Sequence, residues 1–285
     1  MSFFAGRVII ITGSSNGIGR GTAVLFAKNG AKVTITGRNA ETLEETRQLC
    51  LKAGAKDYEI LQVCTWSKDF FTRCSFQLIG DVTDESFTAK LVSATVEKFG
   101  KLDVLVNNAG GASIESFNKG IMDLPVGEFD KMMELNVKPV LRLSQLAVPH
   151  LEKTKGAIVN VSSIGAFHHL NPIPYYGAAK SALDQVTIQM AGSLAKKGIR
   201  VNSVNPGPVL TNFAVAAGAS KEMSDKLFED MAANPMIPLG RIALPEDIGK
   251  IILFLANRSQ SEILIGHIVT ADGGVMLKSA MFPDA

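Results

Sequence analysis

Tyr176 and Lys180, in Tyr175-Tyr176-Gly177-Ala178-Ala179-Lys180, stand four residues apart where a helical pattern opens, so both side chains lie on one helical face. Tyr175 points elsewhere from the same turn. Upstream, Ile158-Val159-Asn160-Val161-Ser162-Ser163 reads as a buried strand that ends in two hydroxyls. A phenol beside an ammonium, with a hydroxyl donor at hand, is equipped to exchange a proton with a reacting oxygen. Alone, such a pair is most often a surface contact, so its company decides. His168 and His169 follow the same strand, but adjacent loop residues rarely point at one ion and no third ligand accompanies them. No metal site is expected there, and shaping of a substrate mouth is.

A second chemical signal sits near the N-terminus. Thr12-Gly13-Ser14-Ser15-Asn16-Gly17-Ile18-Gly19 lies between an apolar run and a helical pattern. Glycines in that place permit a tight turn and let backbone N–H groups and a helix N-terminus approach a pyrophosphate. The spacing GxxxGxG lacks a following Lys-Ser/Thr pair, which excludes a nucleoside-triphosphate P-loop. At the end of the next apolar run stands Ile35-Thr36-Gly37-Arg38-Asn39, with an arginine where an NAD-binding unit would carry a carboxylate. A guanidinium grips a 2′-phosphate bidentately, so NADP(H) is the expected cofactor in preference to NAD(H).

These segments together resemble the short-chain dehydrogenase/reductase family, over essentially the whole chain. TGSSNGIG at 12–19 matches the family's TGxxxGxG, Asn107-Asn108-Ala109-Gly110 its NNAG, and Tyr176 with Lys180 its YxxxK. The resemblance implies a catalytic set of Asn136, Ser163, Tyr176 and Lys180, with Ser163 preferred over Ser162 because it lies thirteen residues before the tyrosine. It further implies cofactor contacts from Gly13, Ser14, Ser15, Asn16, Gly17, Ile18, Gly19 and Arg38. Asp81 and Val82 would meet the adenine; Asn107, Asn108, Ala109 and Gly110 would line the middle; and Pro206, Gly207, Val209 and Thr211 would face the nicotinamide end, with Tyr176 and Lys180.

In the implied reaction, a hydride passes between a nicotinamide and an alcohol or carbonyl carbon, and Tyr176 is the general acid/base. Ser163 would polarise the carbonyl oxygen, Asn136 would hold a water leading to Lys180, and Lys180 would draw the phenol from about 10 toward 7. That shift is worth about 4 kcal/mol, roughly what one ammonium at about 4 Å supplies at an effective dielectric near 20. Two other readings differ in class. Sugar-nucleotide epimerases share YxxxK but carry TGxxGxxG and a longer C-terminal region. A non-catalytic cofactor sensor or scaffold of the same fold would be expected to have lost one of the four catalytic residues, and all are present.

The elements that must hold these residues alternate. Candidate strands are 7–12, 32–36, 57–62, 103–106, 157–161, 200–205 and 266–271, and helical patterns cover 17–29, 40–53, 84–99, 126–151, 175–197 and 245–257. Runs of Val, Ile and Leu without clean alternation suit a parallel sheet buried on both faces, so the expectation is an α/β fold: one Rossmann-like doubly wound domain over 1–285 with seven parallel strands flanked by helices. Residues 207–240 break the rhythm and are expected to cover the substrate, with Met223, Met231 and Met236 supplying an apolar wall or a helix core. The family's dimers and tetramers form through the helices after the fourth and fifth strands and the C-terminal strand. The apolar faces of 126–151 and 175–197 permit a homodimer or homotetramer.

Composition narrows the partners. The 285 residues carry 29 basic and 27 acidic side chains, a net charge of +2, so there is no basic footprint for nucleic acid and no polybasic stretch for a membrane surface. Cys50, Cys64 and Cys74 form no CxxC spacing, which argues against a disulfide framework and a zinc site. No signal peptide is read at the N-terminus and no apolar run approaches the roughly 18 residues of a membrane span, so a cytoplasmic protein acting on a small-molecule alcohol or carbonyl is expected.

One segment is foreign to this pattern. Residues 63–77, VCTWSKDFFTRCSFQ, separate Leu61-Gln62 from Leu78-Ile79-Gly80-Asp81-Val82, and joining the flanks restores a continuous strand into Asp81. The segment reads as an inserted surface loop, or as the translation of a short retained intron, since Val is encoded by GTN and Phe-Gln can be encoded by TTTCAG. Transcript sequencing decides: a message lacking the segment supports the second origin, and its uniform presence refutes it.

Overall fold

Valine- and isoleucine-rich runs become strands here because both of their faces are covered, leaving no solvent side for polar alternation. The computed structural model of the chain describes residues 3–63, 80–116, 119–169, 173–233 and 237–277. Among them β1 (Val8–Ile11), β2 (Lys32–Thr36), β3 (Ile60–Val63), β4 (Val104–Asn107), β5 (Ala157–Val161), β6 (Arg200–Pro206) and β7 (Ile268–Ala271) form one sheet in the order β3-β2-β1-β4-β5-β6-β7. Every pairing is parallel. This is the expected doubly wound, Rossmann-like architecture, and its strand order reverses between β1 and β4, where such folds open a crevice for ligands.

The helices are α1 (Gly17–Lys28), α2 (Ala40–Lys52), α3 (Glu85–Phe99), α4 (Val126–Asn136), α5 (Lys138–Thr154), α6 (Pro174–Leu194), α7 (Phe213–Ala216), α8 (Lys221–Ala233), α9 (Pro245–Ala256) and α10 (Arg258–Ser261). Local signals fix their ends. Asp84 caps α3 by accepting from Ser86 N and Phe87 N, and Gly100 closes it in the left-handed region at φ 78°. α1 packs against α2 and α9, whereas α3 packs against α5 and α4 against α6. The sheet between these layers carries the main core, with all of β1 buried.

Two expected boundaries move. The helical pattern over 126–151 is divided at Val137 (φ −121°, ψ −55°), because Pro139 has no N–H to continue the ladder and its ring would meet the carbonyl of Leu135. The third strand begins at Ile60 rather than Asp57, since Asp57–Glu59 coil into a 3-10 turn. Residues 207–240 hold α7 and α8. The segment expected as an insertion lies, beyond Val63, outside the described residues. Its flanks are clear: Val63 pairs with Thr36 on β2, and Gly80 N donates to Gly37 O at 3.1 Å.

Arg200 opens β6 and is buried, yet it makes no ion pair within 4 Å among the described residues. Its Nη1 donates to Leu255 O (2.8 Å) and Ser261 O (3.0 Å), and Nη2 to Ala256 O (3.1 Å), so a cation closes the carbonyl end of α9. Arg200→Met leaves those carbonyls unsatisfied and is expected to cost about 2–3 kcal/mol in urea unfolding.

Candidate active site

The loops after β1 and β4 meet at the switch point, and one hydroxyl joins them. Thr12 Oγ1 accepts from Asn108 N and Ala109 N, both at 2.9 Å. In return Asn108 Nδ2 donates to Thr12 O (2.9 Å) and Gly13 O (3.0 Å). The close approach requires glycine: at Gly13 (φ +63°) a Cβ would lie 2.9 Å from Ala109 Cα, and at Gly19 it would lie 2.3 Å from Gly13 O. A Cβ on Gly17 would meet the Thr211 methyl at 3.1 Å, which brings the loop after β6 to the same turn. Asn16 makes no side-chain cap bond at the start of α1, so its side chain does not occupy the first-turn N–H groups.

The rest of the loop is braced from behind. Ser14 is buried, donating to Ile11 O (3.0 Å) and accepting from Thr36 N (2.9 Å). Arg20 Nε donates to Ser15 O (3.1 Å) and Thr46 Oγ1 (3.0 Å), and Nη2 to Thr42 O (2.9 Å), while Thr46 Oγ1 donates to Ser14 O (2.9 Å). Thus Thr46 of α2 and Arg20 of α1 hold the carbonyl side of the turn, while Ser14 N donates to Thr36 O at 2.9 Å. The sequence reading missed Thr12, Arg20 and Thr46 as site residues. Arg20 directly follows the glycine motif, a position that could have drawn notice; Thr46 carries no local signal.

Arg38 lies beyond β2, side chain largely exposed, with Asp81 Oδ2 at 4.0 Å from Nη1. Asp81 Oδ1 accepts from Thr83 N and Oγ1, both at 2.9 Å, and Val82 is buried in the core. The guanidinium has one distant carboxylate neighbour and donors still turned to solvent, so a second anion can sit on it.

The acid/base cluster forms where α6 crosses the end of β5. Ser163 follows the end of the strand by two residues, its Oγ accepting from Gly165 N at 3.0 Å and standing close enough to the Tyr176 phenol to favour its ionised form. Lys180 Nζ donates to Val161 O (2.9 Å) and lies 5.5 Å from the Tyr176 ring centroid. Phe213 of α7 meets the same ring edge-on at 5.4 Å. Asn136 stands at the helix break, accepting from Gly111 N (3.1 Å) and donating to Gly111 O (3.0 Å) and Met132 O (3.0 Å). A Cβ on Gly110 would lie 2.7 Å from Asn136 Oδ1 and 3.2 Å from Lys180 Nζ, so the loop after β4 abuts both side chains.

Burial governs the charges. It pushes the Tyr176 phenol up to about 12, the Ser163 hydrogen bond opposing, and it lowers Lys180 to about 8 against the field of Asp184. Burial thus opposes the pull expected of Lys180 on the phenol, to which the positive charge of an oxidised nicotinamide is expected to add. The ammonium is 5.5 Å from the ring centre, is itself destabilised by burial, and spends a proton on Val161 O.

Several expected residues are tied into the framework around the crevice. Asn107 is buried under it, donating to Asn160 Oδ1 at 2.9 Å, and acts as a strut. Pro206 ends β6 in register with Ala271, Gly207 N donates to Ala271 O (3.1 Å), and Val209 bridges Ala243. His168 and His169 are exposed, and no group able to hold a metal occurs among the described residues. Met223 is exposed, Met231 half-buried, and Met236 lies outside the described residues.

A doubly wound sheet with a glycine turn at its switch point defines a Rossmann-like α/β protein. Residues 13–276 match the family model described as enoyl-(acyl carrier protein) reductase. The chain is 32% identical over 274 residues to 7alpha-hydroxysteroid dehydrogenase of Escherichia coli K12, covering 94% of each. Among solved structures it is similar to a short-chain dehydrogenase/reductase of unknown function from Caenorhabditis elegans with cofactor, at 43% identity and TM-score 0.89, covering 99% of this chain and 100% of that one. It is also similar to 7alpha-hydroxysteroid dehydrogenase complexed with NADH and 7-oxo glycochenodeoxycholic acid, at 30% identity and TM-score 0.77, covering 96% of each. The chain belongs to the short-chain dehydrogenase/reductase family, and it is an oxidoreductase acting on CH–OH and C=O groups. The scaffold alternative is not favoured.

Gly19→Ala places a methyl against the Gly13 carbonyl. Thermal melting is expected to fall by several degrees, with loss of dinucleotide-induced fluorescence quenching even where the variant is folded.

Proposed function

We propose that this protein is an NADP(H)-dependent carbonyl reductase and alcohol dehydrogenase in which Tyr176 is the general acid/base. The observation that carries the reading is the contiguity of cradle and proposed catalytic pair: Gly110, on the loop tied to the glycine turn, has no side chain, and a Cβ there would lie 2.7 Å from Asn136 Oδ1 and 3.2 Å from Lys180 Nζ. The residues fit a dinucleotide, since the turn at Gly13, Gly17 and Gly19 is a cradle that side chains would close. Gly13 to Gly19 would hold the pyrophosphate, Asp81 and Val82 the adenine, Ala109 and Gly110 the middle, and Gly207, Val209 and Thr211 the nicotinamide end. Arg38 would take a 2′-phosphate. When bound, the nicotinamide supplies or accepts the hydride.

The chain's own groups handle the proton. A phenol raised by burial stays protonated at neutral pH, the state needed to donate to an oxygen gaining negative charge. Ser163 offers its hydroxyl to the same oxygen. Lys180, as an ammonium, stabilises the phenolate that donation leaves behind. The Asn136 side chain is committed to Gly111 and Met132, so a water leading to Lys180 would rest on its main chain.

Several further roles belong to this reading. Residues 207–240 would cover a small-molecule alcohol or carbonyl, the segment after Val63 would be an insertion, and the protein would work in the cytoplasm. A groove of about 240 Å³ between α5 and α6, with Leu141, Val148, Val186 and Met190 in its lining, would be filled by a second copy in a homodimer or homotetramer.

Tyr176→Phe is expected to lower turnover about 10³-fold with NADPH affinity intact, read by NADPH absorbance across a carbonyl panel. Retained turnover removes the assignment. Arg38→Asp should weaken NADPH at least tenfold and spare NADH; a wild-type preference for NADH sinks the cofactor choice. Reduction should fade as pH rises through about 8, where Lys180 loses the charge that supports the phenolate.

A further inference from the structure

Asp184 lies four residues beyond Lys180 on α6, only 6% exposed, and makes no ion pair within 4 Å among the described residues. Its Oδ2 accepts from Asn205 Nδ2 at 2.6 Å, and Ser203 Oγ lies 3.4 Å from Oδ1. The same Asn205 Nδ2 donates to Ser163 O at 3.0 Å, and Ser203 Oγ donates to Asn205 Oδ1 at 2.8 Å, fixing the amide's orientation. We infer that Asp184 is a positioning residue of the catalytic centre, its carboxylate anchoring Asn205 against the Ser163 carbonyl and facing Lys180 along the buried side of α6. The inference rests on the catalytic reading of Ser163, Tyr176 and Lys180 proposed above.

The physical case is the cost of the charge. Burying a carboxylate without a cation in contact costs several kcal/mol, and a neutral side chain of similar shape would fill the space and accept from Asn205 at lower cost. A purely structural role gives no reason for the charge, whereas a nearby lysine that must remain an ammonium does. Lys180 is faced by Tyr176 and Asp184 on its own helix. From the other elements packed around it come only uncharged groups among the described residues: the Val161 carbonyl and Ser162 of β5 and its end, Gly110 after β4, Asn136 of α4, and Ser203 and Asn205 of β6. Asp184 is therefore the one acid acting on Lys180, and its field opposes the burial that pulls the ammonium down. Burial pushes Asp184 itself up, and bonds from Asn205, Ser162 and Ser203 with the charge of Lys180 pull it back.

The test needs no substrate. In protein labelled with 13C at lysine Cε, the Lys180 resonance is assigned by its loss in Lys180→Arg and titrated by NMR in wild type, Asp184→Asn and Asp184→Ser. The expected result is a Lys180 midpoint about one pH unit lower in both neutral variants, a tenfold loss of proton affinity, with thermal stability equal to wild type or higher. Where a panel carbonyl is reduced, the alkaline limb of kcat should shift by the same amount. An unmoved midpoint overturns the inference whatever happens to the rate, and so does failure of both neutral variants to fold, which would make the carboxylate structural. Absence of turnover with every carbonyl tried would instead count against the reductase reading and leave the lysine titration to be judged alone.

Discussion

Everything chemical in this molecule depends on the Thr12 hydroxyl that bridges the ends of β1 and β4. The strand order reverses at that seam, so the two loops diverge, and the main-chain N–H groups of Asn108 and Ala109 need a partner from across it. One side-chain oxygen takes both, and Asn108 returns two bonds to the opposite loop. The reciprocal tie sets the distance between the glycine turn and the loop carrying Gly110, and through Gly110 the placement of Lys180 and Asn136. A chain of contacts therefore runs from a strand-end threonine to Lys180 and Asn136.

The low-dielectric setting of that group has two opposing effects. Burial keeps Tyr176 neutral and erodes the charge on Lys180, and each shift alone would leave the pair poorly matched. The Val161 carbonyl and the Asp184 field support the ammonium, and Ser163 supports the phenolate. A lysine lowered to about 8 is a sensitive element, since small changes in surrounding charge alter its protonation near neutral pH.

Much of this was legible in the sequence, because the decisive signals are local. The glycine turn, the Tyr176–Lys180 spacing and the apolar strands each depend on residues close in the chain, and the strand count and α/β order follow from them. What escaped were side chains whose partners are distant: Thr12 answers to residues 96 and 97 positions away, and Asn205 to one 42 positions away. The helical period over 126–151 also hid its own interruption, since Pro139 at the first turn of a new helix and Pro139 inside an old one look alike until the chain is seen to bend. The weight of burial on the phenol escaped as well, because spacing fixes a common helical face but not how much water reaches it.

The edge of the sheet near Arg38 has a mechanical consequence. Val63 and Gly80 are fastened to consecutive residues of the β2 edge, Thr36 and Gly37, so the two ends of whatever chain runs between them are held a fixed short distance apart. Closing a tether between such clamped points costs little more as it lengthens, about 0.6 kcal/mol for each doubling. The junction is therefore insulated: residues can be gained or lost between the clamps while Arg38 and Asp81, just past them, keep their separation.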